Sequence, residues 1–284
     1  MINILSLGAG VQSSALAVMA ANGEVQQEDG TALKLDHAIF ADTQAEPKSV
    51  YDWLDKLIEY IKGSKNPFPV HIVTNGSLDN AETQIRTSKG GRLYIKSAIP
   101  SFILSPEGKT GLMRRVCTSD YKVIPIQRKT RELVGVRRNG LGIVKAKLWL
   151  GISTDEASRM KPSRVDYLEN IYPLIDMGLS RDDCLAYVEA KLAKPPRSAC
   201  YFCPFHSTSE WKRMKTEEPQ EFDRAVKFEK DMQSTAAKQT ALRGIPFLHS
   251  TCKPLDSIDF DALLARKSKQ LDLFNNECFG MCGV

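Results

Sequence analysis

The chain has no apolar run long enough to cross a membrane, which excludes a spanning helix. Its apolar start has no basic flank and leads straight into a glycine turn, so a secretory signal is not expected. Seven cysteines in 284 residues are too few, and odd in number, for a secreted scaffold stapled by disulfides. Cytoplasmic thiols, some of them holding a metal, are expected instead. A strong charge of one sign is also missing. The net charge of +5 does not by itself announce a nucleic-acid binder. No internal repeat or low-complexity segment is present. What remains is 42% apolar and 26% charged residues, the composition of a globular protein with a sizeable core.

Much of the positive charge is local. Arg114, Arg115, Lys122, Arg128, Lys129, Arg131, Arg137, Arg138, Lys145 and Lys147 fall in one short region. Such a run is either a solvated helix face or a site for phosphates or a nucleic-acid backbone.

The organising stretch is Ile4–Met19. Met1–Leu7 reads as a buried strand; Gly8-Ala9-Gly10 makes a turn; Gln12, Ser13 and Ser14 open an Ala/Leu/Val/Met helix. Strand, glycine turn and helix start together offer backbone N–H groups and a positive helix end to an anion. The same turn could also merely join a strand to a helix. Further strands read at Asp36–Ala41, Pro69–Val73 and Lys147–Ile152, with an amphipathic helix at Val50–Ile61. Strands alternating with helices predict a parallel sheet whose ligands sit beyond the strands' carboxyl ends. That rim holds both Gly8–Ser14 and Asp42–Glu46. Ser77–Thr110, broken by glycine and proline, reads as a mobile substrate-facing loop or a plain surface excursion. Thr118, Ser119 and Asp120 are expected to cap a helix running to Val134, and Ser180–Asp183 to cap another through Leu192. Helices are also expected near Ser209–Met214 and over Pro219–Leu242.

Cys200-x-x-Cys203 has a spacing that suits zinc or an iron–sulfur cluster, and Cys278 and Cys282 offer a second pair. Cys184 and Cys252, set among helical or aromatic residues, read as buried thiols.

Four rim elements match one family in order: Gly8-Ala9-Gly10-Val11-Gln12-Ser13, Asp42-Thr43, Arg115-Val-Cys117-Thr118…Lys122-Val-Ile-Pro125, and Gly151-Ile-Ser153-Thr-Asp155-Glu156-Ala-Ser-Arg159. On these motifs, over Met1–Arg164, the sequence resembles the PP-loop superfamily of adenine-nucleotide α-hydrolases, and within it the phosphoadenosine phosphosulfate reductase-like branch. The whole chain looks like uncharacterised members from bacteria and their phages. Gln12 stands where the family has an acid, Val11 where it often has lysine, and Ser153 where it often has arginine. Arg159, Lys161 or Arg164 would then supply the missing charge, unless they are surface residues.

The resemblance implies attack at the α-phosphate of ATP, or binding of an adenylyl-sulfate nucleotide. Nucleotide contacts are expected from Ser6, Gly8, Ala9, Gly10, Gln12, Ser13, Ser14, Asp42, Thr43, Arg115, Lys122, Gly151 and Arg159. Asp42 and Asp155 or Glu156 would hold Mg2+, unless they only cap helices. Asp42 and Glu156 are the candidate catalytic carboxylates. The family's iron–sulfur members add Cys117 to the ligand set of Cys200, Cys203, Cys278 and Cys282, with Cys184 or His206 as further candidates. A structural zinc is the alternative. Reductases of the family end in Glu-Cys-Gly, and Glu277-Cys278 makes Cys278 a candidate nucleophile, a role that competes with ligation. Gln270-Leu-Asp-Leu-Phe274 looks like the peptide by which bacterial DNA-processing proteins dock on the sliding clamp; packing within the chain is the other reading.

The expected architecture is therefore α/β: a mostly parallel twisted sheet with helices on both faces, PP-loop and Rossmann-like. It spans residues 1–178, with a mainly helical cysteine-bearing extension over 179–284 folded back on it. The expected function is ATP-pyrophosphatase-type adenylation in sulfur or nucleic-acid modification, with DNA or tRNA as acceptor and a cluster assisting. The alternatives are sulfonucleotide reduction by Cys278 and a nucleotide-binding adaptor docked on the clamp.

Overall fold

Strand β1 (Ile2–Leu7) is apolar at four of its six residues because it lies in the middle of a sheet covered on both sides. It belongs to a computed structural model that describes residues 1–95, 97–136, 144–238, 242 and 244–267. After β1 come α1 (Val11–Asn22), β2 (His37–Asp42), α2 (Lys48–Lys62), β3 (Val70–Thr74) and α3 (Leu78–Thr83). Four three-residue strands follow: β4 (Ile85–Thr87), β5 (Leu93–Ile95), β6 (Phe102–Leu104) and β7 (Thr110–Leu112). Then come α4 (Ile124–Val134), β8 (Ala146–Trp149), β9 (Leu168–Ile171), α5 (Pro173–Asp176) and α6 (Arg181–Lys191). The described chain closes with α7 (Thr208–Glu217), α8 (Pro219–Ala237), β10 (Ile245–Phe247) and α9 (Phe260–Lys267).

The fold is α/β. Five parallel strands form a sheet in the order β3-β2-β1-β8-β9. Successive strand residues face opposite ways, so two cores flank it. Leu5, Leu7, Ala38, Phe40 and Trp149 pack against α1, α2 and α6; Ile4, Ile39, Ala41, Leu148 and Leu150 pack with Ile126 of α4. Helix α1 is buried nearly all round, from Ser13 to Ala21, because it lies between sheet and neighbouring helices. The chain runs outward from β1 to β3 and resumes on the other side with β8. Strand order reverses between β1 and β8, so their carboxyl ends open a crevice.

A third core joins early and late parts of the chain. Leu78, Ile99 and Tyr121 pack with Phe202, Trp211, Phe228, Leu248 and Leu255. The Phe202 and Phe228 rings stack with centroids 4.0 Å apart. β10 pairs antiparallel with β6, which in turn pairs with β7.

Several local expectations need correction. Ser77–Thr110 is not a loop: it contains α3 and short strands, whose three-residue length leaves no periodicity to read. Thr118 does not cap α4, since its hydroxyl accepts from Arg115 Nη2 at 2.7 Å. A π-helical turn, Ser119–Val123, leads into that helix, and Pro125 sits in its first turn. The long helix ends at Ala237 rather than Leu242. The capping box at Ser180 and Asp183 is present as expected. No helix of the described residues is long and apolar enough to cross a membrane. Arg137, Arg138, Gln270–Phe274, Cys278 and Cys282 lie outside the described residues.

Candidate functional site

The crevice at the β1–β8 reversal is a cleft of about 640 Å³. One wall is the turn after β1. Ala9, not a glycine, takes the left-handed conformation there (φ 55°), with its side chain buried in the core. Gly8 N–H donates to Ser13 Oγ at 3.1 Å, and Ser13 Oγ donates to Gly10 O at 3.3 Å, which closes the turn on the first residues of α1. No side chain caps α1, and its first turn carries no acid. Its leading N–H groups therefore stand at the cleft with the positive end of the helix behind them. A Cβ on Gly8 would come no closer than 3.7 Å to any neighbour. Glycine there serves open space in the cleft rather than packing.

Gly151, where the chain leaves β8, differs. A Cβ there would lie 2.9 Å from the Ser13 backbone nitrogen, so glycine is what lets the β8 exit approach α1. Beyond it, the 3-10 turn Thr154–Arg159 brings two charged side chains to the cleft. Glu156 pairs with Arg159 Nη1 at 2.6 Å and accepts from Gln12 Nε2 at 3.2 Å. Burial raises the Glu156 carboxyl above its ordinary range, against the pull of Arg159. Arg159 Nε is buried without a hydrogen bond. Of the three cations expected to replace the family's arginine, Arg159 lines the cleft; Arg164 lines a separate small pocket beside α4. Asp155 accepts from Arg181 N–H at 2.9 Å and so caps α6. Burial would raise its carboxyl, but that bond and Ser153 hold it below its ordinary value.

The opposite wall comes from residues after 179. Lys194-Pro-Pro-Arg197-Ser198 runs along it, and Ser198 Oγ donates to the Gly8 carbonyl. Arg181, Arg197, Glu210 and Arg213 also face the cleft. No sequence motif marks these residues; the one signal for them is a rigid Pro-Pro segment flanked by basic residues just before Cys200. No cysteine or histidine lines the cleft among the described residues.

The other expected contacts are divided between the cleft and its surroundings. Ser6, Gly10, Gln12 and Ser13 line the cleft, but Ser14 is fully buried and accepts from Trp53 Nε1 at 2.9 Å. Asp42 Oδ1 accepts from Gln44 N–H at 2.7 Å and from Tyr51 OH at 2.8 Å. Thr43 is buried, its hydroxyl accepting from Ala45 N–H and 3.5 Å from Cys200 Sγ. Lys122 pairs with buried Glu46 at 3.2 Å, and Arg115 stacks over Phe205 at 5.5 Å. The basic run is thus partly turned inward.

Cys117 and Cys200 pack at the margin of the third core, and half-buried Cys203 donates its N–H to the Cys200 carbonyl at 2.9 Å. Burial, then the charge of Glu46, holds the Cys200 thiol well above its ordinary range. His206 Nε2 lies 2.9 Å from the Cys200 carbonyl, and its ring packs edge-on to Trp211. Among the described residues no three His, Cys, Asp or Glu converge as a metal-binding group. Cys278 and Cys282 of the expected ligand set lie outside those residues. Cys184 and Cys252 are buried, and burial pushes the Cys184 thiol up to about 12.

No family model matches the sequence, and neither does any curated protein.

Proposed function

We propose that the cleft binds an adenine nucleotide and that the protein is an ATP-pyrophosphatase-type enzyme of sulfur or nucleic-acid modification. One observation carries the binding part. At the strand-order reversal, an uncapped α1, the Gly8–Gly10 turn without bulky side chains, and Arg159 all line one space. In that arrangement the α1 N–H groups bind phosphate oxygens, and Arg159 offsets the charge that builds as a bond to the α-phosphorus breaks. The adenylation part rests on the motif resemblance. Its atoms balance simply: an acceptor oxygen attacks the α-phosphorus, pyrophosphate leaves, and a later nucleophile displaces AMP.

Calorimetric titration with ATP, AMP and adenylyl sulfate tests the binding. Arg159→Ala is expected to weaken nucleotide binding about tenfold or more, as loss of a charged hydrogen-bonding partner does. Absence of binding of all three by the unmodified protein would overturn the reading. Incubation with ATP and tRNA or duplex DNA is expected to yield AMP and pyrophosphate. Sulfite release from adenylyl sulfate would instead point to reduction.

A further inference from the structure

Two of the chain's four histidines meet at the amino ends of their strands, away from the cleft at the carboxyl ends. His37 opens β2, and His71 is the second residue of β3. In the parallel register Ile39 pairs with His71, so His37, two residues before Ile39, lies on the same face. That face is the one covered by α4. His71 Nε2 lies 3.2 Å from His37 Nδ1, with ring centroids 5.2 Å apart and planes tilted by 46°. Both side chains are half-buried.

A hydrogen bond between the rings needs one N–H in that gap. The same spacing suits a shared ion. Two imidazole nitrogens bound at about 2.0–2.1 Å to one tetrahedral metal lie about 3.3 Å apart. A change of tautomer in one ring, through solvent, turns both lone pairs toward that point with no net loss of a proton. Ligation needs neutral rings, and the surroundings favour them. Burial, then the charges of Lys129 and His37, holds His71 below its ordinary value. Lys129 is itself paired with Glu132 at 2.7 Å, which offsets the nearest cation.

We propose that His37 Nδ1 and His71 Nε2 chelate a divalent late transition-metal ion of the zinc, nickel or copper type, which clips β2 to β3. Among the described residues no third His, Cys, Asp or Glu converges there, so water fills the remaining positions and the ion exchanges readily. The site stands apart from the nucleotide reading, since it lies at the other end of the strands.

Titration of the full chain with zinc chloride, followed in proton–nitrogen correlation spectra of the imidazoles, tests this separately from any binding at thiols. His37 Nδ1 and His71 Nε2 are expected to move together to the shifts of metal-bound nitrogen. His71→Gln is expected to weaken the response at His37 at least tenfold, and His37→Gln the response at His71. Zinc is also expected to raise the urea midpoint of the unmodified protein more than that of either variant. Urea midpoints without zinc show whether each variant folds; the spectra of the unmodified protein decide the matter if one does not. Failure of those two nitrogens to shift in excess zinc would overturn the assignment. So would an unaltered response at one histidine when the other is replaced.

Discussion

Gly8 and Gly151 both line the cleft beside Ser13 and answer to different demands. At Gly8 a methyl group meets Ser13 Oγ at 3.7 Å, an ordinary contact, and Gly8 lines the cleft proposed to hold the nucleotide. At Gly151 it meets backbone at 2.9 Å, which cannot yield without moving α1. Gly8→Ala is therefore expected to leave the urea midpoint nearly unchanged while weakening nucleotide binding about tenfold. Gly151→Ala is expected to cost about 1–3 kcal/mol of stability as well as binding, as overpacking against fixed neighbours does. Equal urea midpoints for the two variants would contradict this division. Both glycines were legible in the sequence as parts of motifs, but their separate roles were not. The motif position of Ser14 misled: it falls on the buried side of α1, and its hydroxyl serves Trp53.

At the scale of elements, helices and strands with strong patterns were legible. α2 buries Val50, Trp53, Leu54, Leu57 and Ile61, the stripe its spacing announces. The segment between β3 and α4 was not legible, because strands of three residues carry too little alternation and gain their partners from far away. Glu229 of α8 shows how such distant elements are held. Its two oxygens accept from Leu248 N–H at 2.8 Å and Leu255 N–H at 2.7 Å, and it is almost wholly buried. Burial raises its carboxyl above the ordinary range in spite of these two bonds. The native state therefore holds this proton more tightly than the unfolded chain does. Stability from this group is full below the unfolded value, about 4.3, and is lost as pH rises through the raised native value. Glu229→Gln is expected to flatten the fall in urea midpoint over that window. It should also lower the midpoint near neutrality, since an amide offers one acceptor to two N–H groups. A slope unchanged by the substitution would refute the assignment.

Across the whole molecule, the residues after 179 complete cores begun before them. Cys184 and Val188 of α6 pack with Leu16 and Val18 of α1. Phe202, Trp211 and Phe228 enclose Ile99 and Tyr121. Burying each large apolar side chain contributes about 1.5–3 kcal/mol, and a domain's net stability is only about 5–15 kcal/mol. A fragment ending at residue 178 is expected to show no cooperative thermal transition by circular dichroism, whereas the full chain does. A sharp transition in the fragment would show that the earlier residues fold alone.

Periodicity and turn chemistry along the sequence determined the α/β class, the parallel strands and the glycine turn, because these depend on neighbours three to ten residues apart. Motif order pointed to the rim of β1, β2 and β8, since ligands gather where parallel strands end. Only the tertiary structure decided which rim residues share a space. It separates Asp42 and Thr43, engaged by local hydrogen bonds, from the cleft that joins Gly8, Gly10, Gln12, Gly151 and Arg159. It also brings Arg197 to the same cleft, about 190 residues along the chain from Gly8, through a contact between Ser198 and the turn. Such a meeting depends on long-range packing of the third core and leaves no trace in local sequence pattern.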